Sequence, residues 1–275
     1  MKKNLDKATV DSFGDEWDRF NQVSLPSKEA HEIFEKYFSI FPWQLISENS
    51  QGFDLGCGSG RWAKIMVKRV GHLHCIDPSE AIHIAEKALA NSQNTSFHKK
   101  SVDDFSLPMN SQDFGYSLGV LHHVPDTRAA IKECANMLKP GAPFLMYLYY
   151  ALENKSFLYR LIWRTSDFFR RMICRLPSGL KHIVTDALAI ILYFPLAKIS
   201  LFLDKAGINV SGIPLSFYRD CSFYTMRTDS RDRFGTPLEK RFTQHEIRTL
   251  MLEAGFKDII FSNNEPRWCV VGIKA

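Results

Sequence analysis

The nine residues Gly52-Phe53-Asp54-Leu55-Gly56-Cys57-Gly58-Ser59-Gly60 constrain this chain more than any other stretch. They read as a short apolar strand ending near Asp54, a glycine turn, and the first turn of a helix beginning near Ser59. Glycines at 56, 58 and 60 allow positive φ and a close backbone approach, and the helix start points free N–H groups into the gap. A small polar ligand is expected there. Dinucleotide sites use a similar turn, so the segments that follow must decide between ligands.

The next apolar run, His72 to Ile76, closes on Asp77-Pro78-Ser79. An acidic residue at the tip of the second strand, about 20 residues past the glycines, is placed to accept from ribose hydroxyls. The alternative is a helix N-cap ahead of Pro78. Further strands are expected at Thr95–His98, Phe114–Val120 and Pro143–Tyr149, with helices over Arg61–Val70, Ser79–Ala90 and Asp126–Met137. That alternation implies a parallel sheet with helices on both faces and a ligand site beyond the strands' C-terminal ends. Before the first strand, Glu29–Phe41 reads as an amphipathic helix stopped by Pro42. At the C-terminus Thr243 and Glu246 form a capping box for a helix over Gln244–Ala254, with Gly255 as its stop. Lys257–Phe261 and Trp268–Ile273 then read as a closing antiparallel strand pair.

The succession Asp54-x-Gly56-x-Gly58-x-Gly60, Asp77, Ser101-Val102-Asp103-Asp104-Phe105, Gly119-Val-Leu-His-His-Val-Pro-Asp126 and Leu138-Lys-Pro-Gly141 resembles the class I S-adenosylmethionine-dependent methyltransferases. The nearest likeness is to the small-molecule branch that includes the ubiquinone and menaquinone biosynthesis enzymes. It runs from Phe13 to about Tyr149 and resumes near Phe242. The resemblance implies an α/β fold, a doubly wound Rossmann-like, mostly parallel seven-stranded sheet with an antiparallel C-terminal strand. It also implies S-adenosylmethionine as cofactor and S-adenosylhomocysteine as product. By the same resemblance Asp54 and the amides of Gly56, Cys57 and Gly58 hold the methionine end, Asp77 the ribose, and Pro78, Ser101 and Val102 the adenine side, with Leu118 a further cofactor contact. Relatives often carry an acid where Ser101 stands, which passes that bond to Asp103 or to backbone. Family members fold an N-terminal flap over the methionine end, making Trp17 and Arg19 candidates for covering it and pairing with its carboxylate. Phe13, Trp17 and Phe20, at spacings of 4 and 3, equally fit a core-facing helix stripe.

His122 and His123 follow the fourth strand, where a transferred methyl would sit. Imidazole titrates near neutrality and can take a proton from the acceptor as the methyl arrives. Successive side chains diverge, so one is expected to act as base or substrate ligand, with His122 favoured, and His123 to face the cofactor. The carrier is already activated, so no metal is required.

At 275 residues the chain fits one such domain with an insertion. The expected division is an N-terminal helical cap at 1–50, the cofactor-binding core at 51–150 and 239–275, and a helical lid at 151–238. Within that insertion Arg160, Arg164, Arg171 and Arg175 repeat at spacings of 4, 7 and 4, and Leu158, Ile162, Phe169 and Ile173 follow the same spacings. At about 100° per residue the two sets lie about 160° apart, an amphipathic helix with an arginine face. Lys155 to Lys181 holds seven basic residues against Asp167, an excess of six that exceeds the +5 of the whole chain. Such a face is usually solvated; its other reading is peripheral contact with anionic lipid headgroups or with a phosphate-bearing acceptor. Ile183–Leu203 is apolar but interrupted by Asp186, Pro195 and Lys198, which reads as a buried or interfacial helix pair and not a span. Gly207–Leu238 is expected as loop, with Tyr218, Asp220, Tyr224 and Arg233 as candidate substrate contacts or as ordinary structural residues.

Six cysteines without paired spacing, three of them in apolar stretches, point to reduced, buried thiols in a cytoplasmic protein. The start Met1-Lys2-Lys3 has the charge of a signal peptide but no apolar run behind it. Net +5 is mild, and no base-stacking aromatics interleave on a basic sheet, which argues against nucleic acid. The expected activity is methyl transfer to an oxygen, nitrogen or carbon of a small amphipathic or anionic metabolite. The alternatives are a macromolecule (tRNA or protein) methyltransferase and a non-catalytic cofactor-binding scaffold.

Overall fold

A computed structural model describes residues 4–104, 107–266 and 268–275, so Met1–Lys3 and Phe105 lie outside the described residues. The chain divides into two units, one of residues 4–22, 30–151 and 238–275 and the other of residues 23–29 and 152–237.

In the first unit, alternate side chains of short apolar strands enter opposite faces of one sheet. The strands are β1 (Gln51–Leu55), β2 (His72–Ile76), β3 (Thr95–His98), β4 (Phe114–Leu118), β5 (Pro143–Tyr147), β6 (Phe256–Phe261) and β7 (Cys269–Lys274). Their spatial order is β3-β2-β1-β4-β5-β7-β6, with β7 antiparallel to both neighbours and the five N-terminal strands mutually parallel. Phe53, Phe144 and Met146 pack on one face with Ile131 of α5 (Thr127–Met137) and Ile247 of α10 (Gln244–Glu253). Leu73, Cys75, Phe114 and Tyr116 pack on the other, against Phe34 of α2 (Ser27–Tyr37), Met66 of α3 (Ala63–Met66) and Ala85 of α4 (Ala81–Ala88). The mostly parallel, seven-stranded Rossmann-like sheet expected from the sequence is the fold observed. Thr243 and Glu246 cap α10 reciprocally as their spacing requires.

Helix α1 (Lys7–Arg19) is capped by Asp6 and buries Thr9, Ser12 and Glu16, with Phe20 just beyond its end. Its buried line is therefore mostly polar, and Phe13 and Trp17 stay half-buried beside it. One expectation needs correction. The residues after the glycine turn do not enter a helix at Ser59; they form turns to Trp62 and only one regular helical turn, α3. The positive φ at Gly56, Gly58 and Gly60 keeps breaking the helical path.

The second unit is helical: α6 (Phe157–Ile173), α7 (Ser178–Leu188), α8 (Phe194–Lys205) and α9 (Phe223–Gly235). Two expectations change here. The apolar stretch at 183–203 is not a helix pair, because α7 and α8 join into one helix of 28 residues, Ser178–Lys205. Pro195 lacks an N–H and crowds the carbonyl four residues back, and the chain passes it through a wider π turn at Ala189–Tyr193. The stretch 207–238 is not all loop, since it holds α9. Six free cysteines, all buried, are distributed over both units.

The contact between β1 and β4 is unusually close. Gly52 pairs in register with Phe114, and Phe53 with Gly115. A Cβ on either glycine would overlap the ring of the opposite phenylalanine. Gly115→Ala is therefore expected to cost about 1–3 kcal/mol through overpacking, read as a lowered urea midpoint with unchanged slope.

Candidate cofactor and methyl-transfer site

The tips of β1 and β2 are tied together through the glycine turn. The amides of Gly56 and Cys57 both donate to the carbonyl of Ile76, at 2.7 and 3.1 Å. The Gly58 amide donates to Asp77 Oδ2 at 2.9 Å. Asp77 Oδ1 accepts from the Ser79 amide at 2.8 Å and the Ser79 hydroxyl at 2.6 Å. Asp77 thus clamps the turn on one side and starts the chain toward α4 on the other, and all three of these amides already have protein acceptors. Burial raises the Asp77 pKa, against the pull of those hydrogen bonds.

Asp54 sits at the end of β1, 2 % exposed. Burial pushes its pKa up to about 8; the nearby Tyr116 hydroxyl opposes the rise and the charge of Asp77 adds to it. Its Oδ2 has no hydrogen-bond partner. A buried carboxyl with an unused oxygen, beside a second buried carboxyl, suits a ligand that brings hydroxyl or cationic amino donors. The residues fit the donor-rich ends of S-adenosylmethionine on that ground.

Trp17 of α1 lies against the turn: a Cβ on Gly58 would come 2.9 Å from its indole nitrogen. The Arg61 guanidinium stands 5.6 Å from the Trp17 ring and 4.1 Å from that of Trp62. Arg19, two residues on and so about 200° around the helix, instead lies 5.4 Å from the Phe20 ring. The structure brings Trp17 to the glycine turn. On the third strand's side the Ser101 hydroxyl donates to Asp103 Oδ1 at 2.6 Å, and Asp103 Oδ2 accepts from the Asn4 amide at 2.8 Å. Val102 belongs to the core, and Pro78 and Leu118 are half-buried.

The loop after β4 carries the histidines into an aromatic wall that sequence reasoning missed. His122 is fully buried and stacks on Tyr149 at 3.9 Å between ring centroids; Tyr147 lies 6.4 Å away. Neither ring nitrogen of His122 has a hydrogen-bond partner. Its pKa is held well below the usual histidine value, first by burial and then by the charges of His123 and Arg241. His123 Nδ1 lies 2.6 Å from the carbonyl of Leu238. A carbonyl only accepts, so Nδ1 carries the proton and Nε2 is the ring's acceptor. Phe13 of α1 meets the His123 ring edge at 5.0 Å. Arg241 lies 5.3 Å from the Tyr149 ring and donates to the buried Glu239 at 2.8 Å. The readable signal was Tyr147 and Tyr149, two residues apart and therefore on one face at the end of β5.

The candidate substrate residues lie in the second unit. Tyr218 is buried in its core, and Arg233 approaches Asp229 at 3.7 Å. The charge of Asp229 adds to burial in raising the Tyr218 pKa. Asp220 is exposed, 3.6 Å from Arg219 Nε, and Tyr224 is half-buried on α9.

Asp54 has a folded-state pKa of about 8 against 3.8 in the unfolded chain. Its contribution to stability is therefore full below about 4 and is lost as the pH rises through about 8. Asp77, also raised, adds a slope of the same sign. Asp54→Asn is expected to flatten this fall without abolishing it, measured by urea unfolding of the ligand-free protein from pH 5 to 8.

A family model described as a methyltransferase domain matches residues 53–146. A ubiquinone biosynthesis O-methyltransferase of Xanthomonas euvesicatoria is 23% identical over 232 residues, covering 82% of this chain and 92% of that one. Its counterpart in Hahella chejuensis is 26% identical over 166 residues, covering 58% and 68%. Among solved structures, a SAM-dependent methyltransferase from Aquifex aeolicus matches with a TM-score of 0.50 and 13% identity over 93% of this chain and 95% of that one. A possible exported protein of Bordetella parapertussis matches with a TM-score of 0.51 and 15% identity over 95% and 79%. These two likenesses speak to the fold alone. The glycine turn with its buried carboxyls, the seven-stranded sheet and the matched domain together make this chain a class I S-adenosylmethionine-dependent methyltransferase.

Proposed function

We propose that the enzyme methylates a hydroxyl oxygen on the ring of a small aromatic metabolite, with His123 as proton acceptor. The observation that carries this reading is the fixed tautomer of His123 beside Phe13 and Tyr149: an acceptor nitrogen bounded by ring faces that suit a flat, apolar acceptor. The relatives named as O-methyltransferases support the choice of oxygen over nitrogen or carbon.

Bound S-adenosylmethionine supplies a methyl group already activated on a sulfonium. The chain's own task is then alignment and removal of one proton. The Leu238 carbonyl orients the His123 ring and favours the imidazolium that forms when Nε2 takes the hydroxyl proton. His122, buried and neutral, packs against Tyr149 and helps keep water from the acceptor oxygen. Asp54 accepts from the amino group of the methionine end, Asp77 from the ribose, and Trp17 covers the turn.

Incubation with methyl-labelled S-adenosylmethionine and a metabolite extract is expected to yield a labelled low-mass product that withstands nuclease and protease. Label confined to macromolecules would reject the substrate class. His123→Ala is expected to lower kcat by about 10²–10⁴-fold and to keep S-adenosylhomocysteine affinity by calorimetry. His122→Ala is expected to act mainly on KM and stability. The reverse pattern would move the base to His122.

A further inference from the structure

The second unit carries its helices inside out. In the continuous helix Ser178–Lys205 the buried line is Lys181, Thr185, Ala189, Tyr193, Ala197 and Ser200, small or polar residues at helical spacing. Ile183, Ile190, Ile191, Ile199 and Phe202 face outward, Ile191 67% and Phe202 73% exposed. Helix α6 repeats the arrangement. It buries Arg170, held by Asp167 at 2.8 Å and by the Thr236 carbonyl at 2.8 Å, while Leu158, Ile162, Phe168 and Phe169 are exposed. The apolar face expected on α6 exists, but of its four residues only Ile173 packs against the core of its own unit.

Length and composition alone would let Ser178–Lys205 cross a membrane. Its polar face is bound to α9 along most of its length. Arg227 grips Asp186 through two bonds of 3.0 and 2.9 Å, Ser230 donates to the Thr185 carbonyl at 2.8 Å, and Tyr193 donates to Asp229 at 2.7 Å. Crossing a bilayer would carry these charged partners into hydrocarbon. A helix so tied on one side and apolar on the other is suited to lie in an interface.

Charge selects the occupant. From Lys155 to Lys205 there are nine Lys and Arg against three Asp. Each of those three, Asp167, Asp186 and Asp204, is bonded to an arginine. On α6 the exposed Arg160, Arg164 and Arg171, continued by Arg175 just past its end, form a row centred about 100° around the helix from the middle of its exposed apolar stripe, so that the row flanks the stripe. A phosphate-bearing lipid surface meets both elements at once, with acyl chains under the stripe and headgroups along the arginines.

We propose that α6 and the helix Ser178–Lys205 form a docking surface for an anionic bilayer, on which the protein lies without spanning. The test is flotation of the full chain with vesicles of phosphatidylcholine alone and of phosphatidylcholine mixed with phosphatidylglycerol. The expected result is recovery with the mixed vesicles, reduced by salt, and little with the neutral ones. Each arginine removed should weaken partitioning about fivefold, so Arg160→Gln with Arg164→Gln should weaken it roughly twenty-five-fold. Ile191→Ser with Phe202→Ser should abolish it. S-adenosylhomocysteine binding should be unchanged in every variant, which separates this surface from the cofactor reading. Wild-type protein left in the aqueous fraction with both vesicles would overturn the proposal. So would a dimer that Ile191→Ser with Phe202→Ser dissociates and that never floats, since the face would then belong to a second copy.

Discussion

Everything at the catalytic end of the core rests on one carboxylate reaching across from the second strand to the first. Asp77 accepts the Gly58 amide with one oxygen and Ser79 with the other. The Ile76 carbonyl takes the two preceding amides. Those bonds hold Gly56 and Gly58, both of positive φ, in a single conformation that an isolated glycine-rich loop, with its high entropy, would not keep. A fixed turn is what gives Trp17 a surface to lie on, and it leaves the unused oxygen of Asp54 as the polar group that a ligand can satisfy.

The two ends of the site differ in electrostatic character. At β1, burial lifts Asp54 to about 8, so in the ligand-free state its carboxyl holds a proton that a cationic ligand would displace; burial shifts Asp77 at the tip of β2 in the same direction. At β4 and β5, a buried imidazole is kept neutral among aromatic rings while its neighbour is oriented by a backbone carbonyl. One end offers carboxyl acceptors, the other a wall of aromatic rings around a neutral imidazole.

Much of the core was legible because local signals and the global fold agree there. The limits of β2 and β3, the N-cap of α5 at Asp126 and the capping box of α10 follow from short-range patterns. The glycine turn, Asp77 and the histidine pair were legible as a site because their spacing fits a cofactor motif. Glu239, Arg241 and the Leu238 carbonyl were not, since they reach the histidines by tertiary folding from a distant segment. Helix α9 escaped because Phe223, Met226 and Phe234 are too few apolar residues among its thirteen to give a periodic signal, and arginine and serine bonds tie it to the neighbouring helix. For α6, periodicity revealed an apolar face but could not say whether protein covers it.

The interlocked glycines and phenylalanines of β1 and β4 carry an evolutionary corollary. Each glycine exists as room for a ring on the facing strand, so neither position can enlarge until its partner shrinks. Substitutions at 53 and 115, and at 52 and 114, should therefore be inherited as compensated pairs. An alignment of close homologues would show them as two covarying couples in the middle of an otherwise independently drifting sheet.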